Sequence, residues 1–158
     1  MTEPPLIDLE TGMGMLTGAR SRRLALREAI DRLESSLSAP SRQTGWADKV
    51  TRCVAQVRAA FDAHVAEVEA EGGLLADVLE NQPRLAPVVA VLRDEHVAVD
   101  DALDQLAGEL VAIGGGLDED HVASVRRLGI ELIGAVVEHR QRGADLVFDA
   151  YSVDIGGW

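Results

Sequence analysis

Residues 91–110 read VLRDEHVAVDDALDQLAGEL. Leu92, Val99, Leu103, Leu106 and Leu110 recur at steps of three and four, the spacing that lines one face of an α-helix, and His96 falls on the same line. The charged residues between them take the other face. A half-buried strand would alternate every second residue, and this stretch does not. One amphipathic helix is not a fold, so the pattern must be sought in the rest of the chain.

It recurs three more times. From Ala19 to Ser38, Leu26, Ile30, Leu33 and Leu37 share a face, and Ala39-Pro40 ends the run. A second helix is predicted from about residue 46 to 71. Thr44 or Asp48 is its expected N-cap, and Val50, Val54, Val57, Phe61, His64 and Val68 lie on one side. A short amphipathic piece, Leu74 to Leu79, follows Gly72-Gly73. The helix of the opening stretch starts near Arg84, tolerates Pro87 in its first turn, and stops at Gly114-Gly115-Gly116. Asp118 then caps a last helix whose first turn is acidic, as the helix dipole favours. Val125, Leu128, Leu132, Val136, His139, Gly143 and Leu146 form its stripe, which fades near Tyr151. The expectation is all-α: an antiparallel up-down-up-down four-helix bundle over residues 18–151, with a short extra helix after the second. A flexible arm (1–17) precedes it and a short tail (152–158) follows.

Composition narrows the function. The 158-residue chain is 47% hydrophobic but only 3% aromatic, which suits helices packed by aliphatic side chains better than a β-sandwich. A formal charge of −12 opposes phosphate backbones and anionic lipid headgroups, so nucleic acid and membrane surfaces are poor partners. No apolar run approaches the roughly 20 residues that cross a bilayer, and no secretory leader pattern opens the chain. A cytoplasmic protein is expected. The lone Cys53 excludes an internal disulfide and a Cys-based zinc site; set among Val50, Val54 and Val57, it reads as a small buried hydrophobe. It lies about three turns, roughly 16 Å, from His64, too far for a nucleophilic pair. Phosphate loops, nucleophile elbows and HExxH pairs are absent, and the low aromatic content argues against haem.

What remains is the histidines. His64 lies near the end of its helix, His96 in the first half of the next, and His139 in the last third of the one after. In helices of alternating direction these positions fall at one level. Neutral imidazole is a good ligand for Fe, Zn, Cu and Ni, and carboxylates complete such sites. Glu67, three residues after His64, and Asp100, four after His96, share the helix faces of their histidines. Asp145, six after His139, is rotated about 120° from it and reaches a site only from the side. Glu95 and Glu138 point toward helix flanks. Gly143, one turn after His139, leaves space beside the ring. Arg140, Gln141 and Arg142 pair with acids across a helix interface. His121 sits at the opposite end, exposed.

The segments FDAHVAEVEAEGGLLADVLE (61–80), VLRDEHVAVDDAL (91–103) and VVEHRQRGADLVF (136–148) resemble the hemerythrin-like, or HHE cation-binding, family over about residues 20–150. That resemblance implies a four-helix bundle with a non-haem iron centre that binds or senses O2, NO or peroxide. By motif position His64, His96 and His139 match family ligands. Val68 and Asp100 stand where the family has a glutamate and a second histidine. Asp145 comes one residue later than the family's aspartate, and the first helix has no histidine. The expected metal set is therefore His64, Glu67, His96, Asp100, His139 and Asp145, holding one or two irons and a small diatomic ligand. The competing reading is a metal-free bundle, acting as an interaction or regulatory module and as a homodimer. It predicts imidazoles each satisfied by a carboxylate and an exposed apolar patch.

Overall fold

The computed structural model describes residues 9–113 and 116–152, with side chains from residue 18 onward. Among the described residues there are five α-helices and no strand: α1 (Leu9–Ser38), α2 (Trp46–Val68), α3 (Leu74–Asn81), α4 (Ala86–Ala112) and α5 (Glu119–Tyr151). A 3-10 turn, Pro83–Leu85, leads into α4, which carries Pro87 in its first turn.

Helix α1 begins ten residues before the expected Ala19. Gly12, Gly14 and Gly18 each weaken a helix by about 1 kcal/mol relative to Ala, but propagation from an established helix needs only one hydrogen bond per residue. The expected arm is therefore helical from Leu9; its residues 1–8, and the tail at 153–158 with Trp158, lie outside the described residues. Helix α2 is capped neither by Thr44 nor by Asp48. Gly45 occupies the N-cap in the left-handed region (φ 77°), which disfavours any side chain, and its carbonyl accepts from Lys49 N at 2.9 Å. Asp118 caps α5 as expected, its carboxylate accepting from His121 N at 2.8 Å.

Helix α1 packs on α2, α2 on α4, α4 on α5, and α5 back on α1. Cross-helix bonds fix the direction of each pair. Trp46 Nε1 at the start of α2 donates to Ser36 O near the end of α1 (2.9 Å), while Arg22, midway along α1, pairs with Glu67 near the end of α2. Arg84 Nη2 reaches Asp149 O (2.8 Å), whereas Glu95, a few turns on, meets His139. Helices α1 and α5 approach most closely at Gly129, where an added Cβ would collide with the Leu37 side chain.

The interior is split in two. The larger apolar cluster draws on α1, α2, α4 and α5, with Leu33, Val50, Val57, Phe61, Leu103, Leu106, Leu132 and Val136 fully enclosed. Each such side chain contributes about 1.5–3 kcal/mol. Cys53 belongs to it, 7% exposed. A smaller cluster joins Leu75 and Val78 of α3 to Leu85, Val89, Leu92, Leu146 and Ala150. Between the two, on α2, α4 and α5, lie the three histidines.

Candidate metal centre

Each histidine is held by the stripe that buries its helix. On α2 the order is Phe61, His64, Val68; on α4, Leu92, His96, Val99; on α5, Val136, His139, Leu146. The packing of α2, α4 and α5 brings these steps together. His96 and His139 are 5% and 3% exposed; His64 is half-buried. Phe61 forms the floor, its ring centroid 5.9 Å from each of the three imidazoles.

The rings present their Nε2 atoms to one another. His139 Nε2 lies 3.2 Å from both His64 Nε2 and His96 Nε2, and one nitrogen from each ring falls within 4.8 Å of the others. Nitrogens bound about 2.1 Å from one tetrahedral ion are about 3.4 Å apart, so two edges of the triangle already have the length a metal asks for.

Two glutamates decide where the protons are. His139 Nδ1 is 2.9 Å from Glu95 Oε2, and His96 Nδ1 bonds Glu69 Oε1. A carboxylate only accepts, so both Nδ1 atoms carry hydrogen, and in the neutral form of the two rings both Nε2 atoms are bare lone pairs. The 3.2 Å contact between His96 and His139 is thus acceptor against acceptor, with no proton of its own. Arg142 pairs with the other oxygen of Glu95.

A proton from solvent is a poor remedy. His64 and His139 are each pushed down from 6.5 to about 4, by burial first and then by the neighbouring imidazoles. Near neutral pH His64 and His139 are therefore uncharged, the form in which histidine binds metal.

The three carboxylates expected as ligands go elsewhere. Glu67 pairs with Arg22 of α1, Asp100 with Arg58 of α2 (2.7 Å), and Asp145 accepts from Gln141 (3.0 Å). Each neighbours its histidine in sequence, but Glu67 and Asp100 are bonded from another helix and Asp145 from its own. Glu69 and Glu95 do the work instead, and sequence reasoning missed both. Glu69 is the C-cap of α2 and bonds to α4, while Glu95 sits on the flank of α4 that faces α5. Their signal was acidity at the same level, five residues after His64 and one before His96, legible only once helix rotation is known. Arg142 pairs across the α4–α5 interface as expected; His121 stays at the far end, bonded to Asp118. A Cβ built on Gly143 would meet no described atom within 4 Å, so the space expected beside His139 is there.

No family model, curated protein or solved structure matches the chain. Among the described residues no helix is long and apolar enough to cross a membrane.

Proposed function

We propose that this chain is a hemerythrin-like, antiparallel four-helix bundle that holds one non-haem metal ion, iron in the first instance, on His64, His96 and His139. The observation that carries the reading is the convergence of the His64, His96 and His139 Nε2 atoms, two of whose edges are 3.2 Å long, with the Nδ1 atoms of His96 and His139 bonded to carboxylates. Buried acceptors set against each other are unfavourable unless an electrophile sits between them. Carboxylate–histidine pairs are the usual outer support of metal ligands.

One ion is favoured over two because Glu67, Asp100 and Asp145 are engaged with Arg22, Arg58 and Gln141. Three nitrogens leave coordination positions free, and the ion would supply a Lewis-acidic centre for a small ligand such as O2, NO or peroxide. The chain's own residues do the rest. Glu69 and Glu95 orient the rings, Phe61 and the larger core keep bulk water from one side, and Gly143 leaves room beside His139.

The test is elemental analysis and anaerobic Fe(II) and Co(II) titration of the purified protein. About one ion per chain is expected, falling to background in His96→Ala. Sub-stoichiometric metal unaffected by that substitution would falsify the reading and leave the metal-free interaction module.

A further inference from the structure

Helix α5 carries a second pattern on the side away from the core. Half of the described exposed large apolar side chains belong to it: Ile130 (66% exposed), Val137 (51%), Val147 (39%), Phe148 (70%) and Tyr151 (48%). Single exposed hydrophobics need no explanation, but four of these fall on one line. From Arg127 to Tyr151, alternating steps of three and four residues pass through Ile130, Val137 and Phe148. The intervening positions are small or neutral: Gly134, Gln141 and Ala144, all exposed. A seven-residue repeat sustained over about 36 Å of helix is the pattern of a seam that packs on another helix. The helix's own partners use the opposite stripe; along this line only the polar tips of Arg127 and Tyr151 are bonded among the described residues, to Glu131 and to Asp77 of α3.

The seam also matches itself. A copy turned about a two-fold axis at the level of His139 sets Ile130 against the partner's Phe148 and Gly134 against the partner's Ala144. Val137 then meets the partner's Gln141, and Arg127 lies over the ring of the partner's Tyr151. Small residues face small ones, so the helices can approach closely at the centre, and both aromatics lie against a matched partner. Parallel pairing would stack Arg127 on itself and Gly134 on itself, placing like charge and empty space in the seam. Isologous two-fold contacts are the commonest form of self-association. From this register we infer that the exposed face of α5 is the interface of an antiparallel homodimer.

The flanks sharpen the inference. Glu131, Glu138 and Asp145 lie along one edge of the seam, and antiparallel packing brings that edge against its own copy. These rim repulsions are weak and screened by salt, so the dimer should tighten as ionic strength rises. Parallel packing would instead pair Arg140 with the partner's Asp145 and loosen with salt.

Sedimentation equilibrium of the full chain tests this independently of any metal. The expected mass is twice the 16.9 kDa of one chain. Phe148→Glu and Ile130→Glu, both at exposed positions, should each weaken self-association about tenfold or more with unchanged far-UV circular dichroism. Under oxidising conditions the double variant Gly134→Cys/Ala144→Cys should form a disulfide-linked dimer and Ala144→Cys alone should not. An added Cβ at Gly134 meets nothing within 4 Å, so the substitution is tolerated. A monomer at every concentration, a dimer indifferent to both glutamate variants, cross-linking by Ala144→Cys alone, or dissociation on adding salt would each overturn the proposal.

Discussion

The two ends of the bundle bury polar atoms in opposite ways. At the Trp46 end every buried donor meets an acceptor. Trp46 Nε1 donates to Ser36 O, Ser36 Oγ to Leu33 O (2.8 Å), and the Arg126 guanidinium to Leu37 O and Ala39 O (3.1 and 3.0 Å) while lying 5.6 Å from the Trp46 ring centroid. At the histidine end, acceptors face acceptors. Complementary pairing completes itself inside the fold and stabilises it. Like-facing pairing stabilises far less by itself, and under the proposed function an ion would complete it.

Substitutions can break the comparison, and the largest effect should fall at the Trp46 end. Trp46→Ala removes a fully buried ring and strands Ser36 O, so it should destabilise the protein by about 3–5 kcal/mol in urea unfolding. Metal affinity should stay within about twofold of wild type. If affinity collapses along with stability, the two ends are not independent.

Next in size is Glu95→Gln. A neutral amide no longer fixes the His139 tautomer and releases Arg142, which should lower metal affinity about 10–100-fold in a competitive chelator titration. Stability of the metal-free protein should change far less, because the Glu95 side chain is 21% exposed and Gln still hydrogen-bonds.

Acidification should move the two ends in opposite directions. For His64 and His139 the folded pKa (about 4) lies below the unfolded value of 6.5. The unfolded chain therefore takes up protons first, and the metal-free protein should lose stability progressively from pH 6.5 down to about 4. His121 is the reverse case. Its pKa is raised, chiefly by the hydrogen bond to Asp118, so its small contribution is fully present below 6.5 and fades as pH rises through the folded value. Urea midpoints measured across this range in wild type and in His64→Ala would show it. A slope of the same steepness in the variant would remove the cluster as the cause.

The smallest effect is the most diagnostic. His96→Leu replaces a like-facing imidazole with hydrocarbon of similar volume in a site walled by Phe61 and Leu92. Metal-free stability should be nearly unchanged or slightly higher, while metal binding is lost. A loss above about 3 kcal/mol would mean that the imidazole is structural after all.

Helical periodicity and the alternation of chain direction sufficed to place His64, His96 and His139 at one level, because both depend only on counting residues. They also gave the α5 cap, since Asp118 acts within its own turn. Glu69 and Glu95 escaped because a flank residue's partner is set by the rotation and spacing of a neighbouring helix, which no single stripe encodes. Glu67, Asp100 and Asp145 were attractive as local neighbours, but Arg22 and Arg58 claim the first two from another helix, which the sequence does not display, and Gln141 takes the third within its own helix. The early start of α1 was hidden by three glycines whose cost is modest once a helix exists.

The split interior gives the molecule two cores of unequal size. Leu75, Val78, Leu85, Val89, Leu92, Leu146 and Ala150 form a patch that shares no member with the larger cluster, and no residue of α1 belongs to it. So small a unit can open while the main core stays closed. Amides of α3 and the first turns of α4 should exchange with solvent well before those around Leu103 and Leu132. Early exchange at those amides would then report the opening of this patch by itself, separately from the unfolding of the larger cluster.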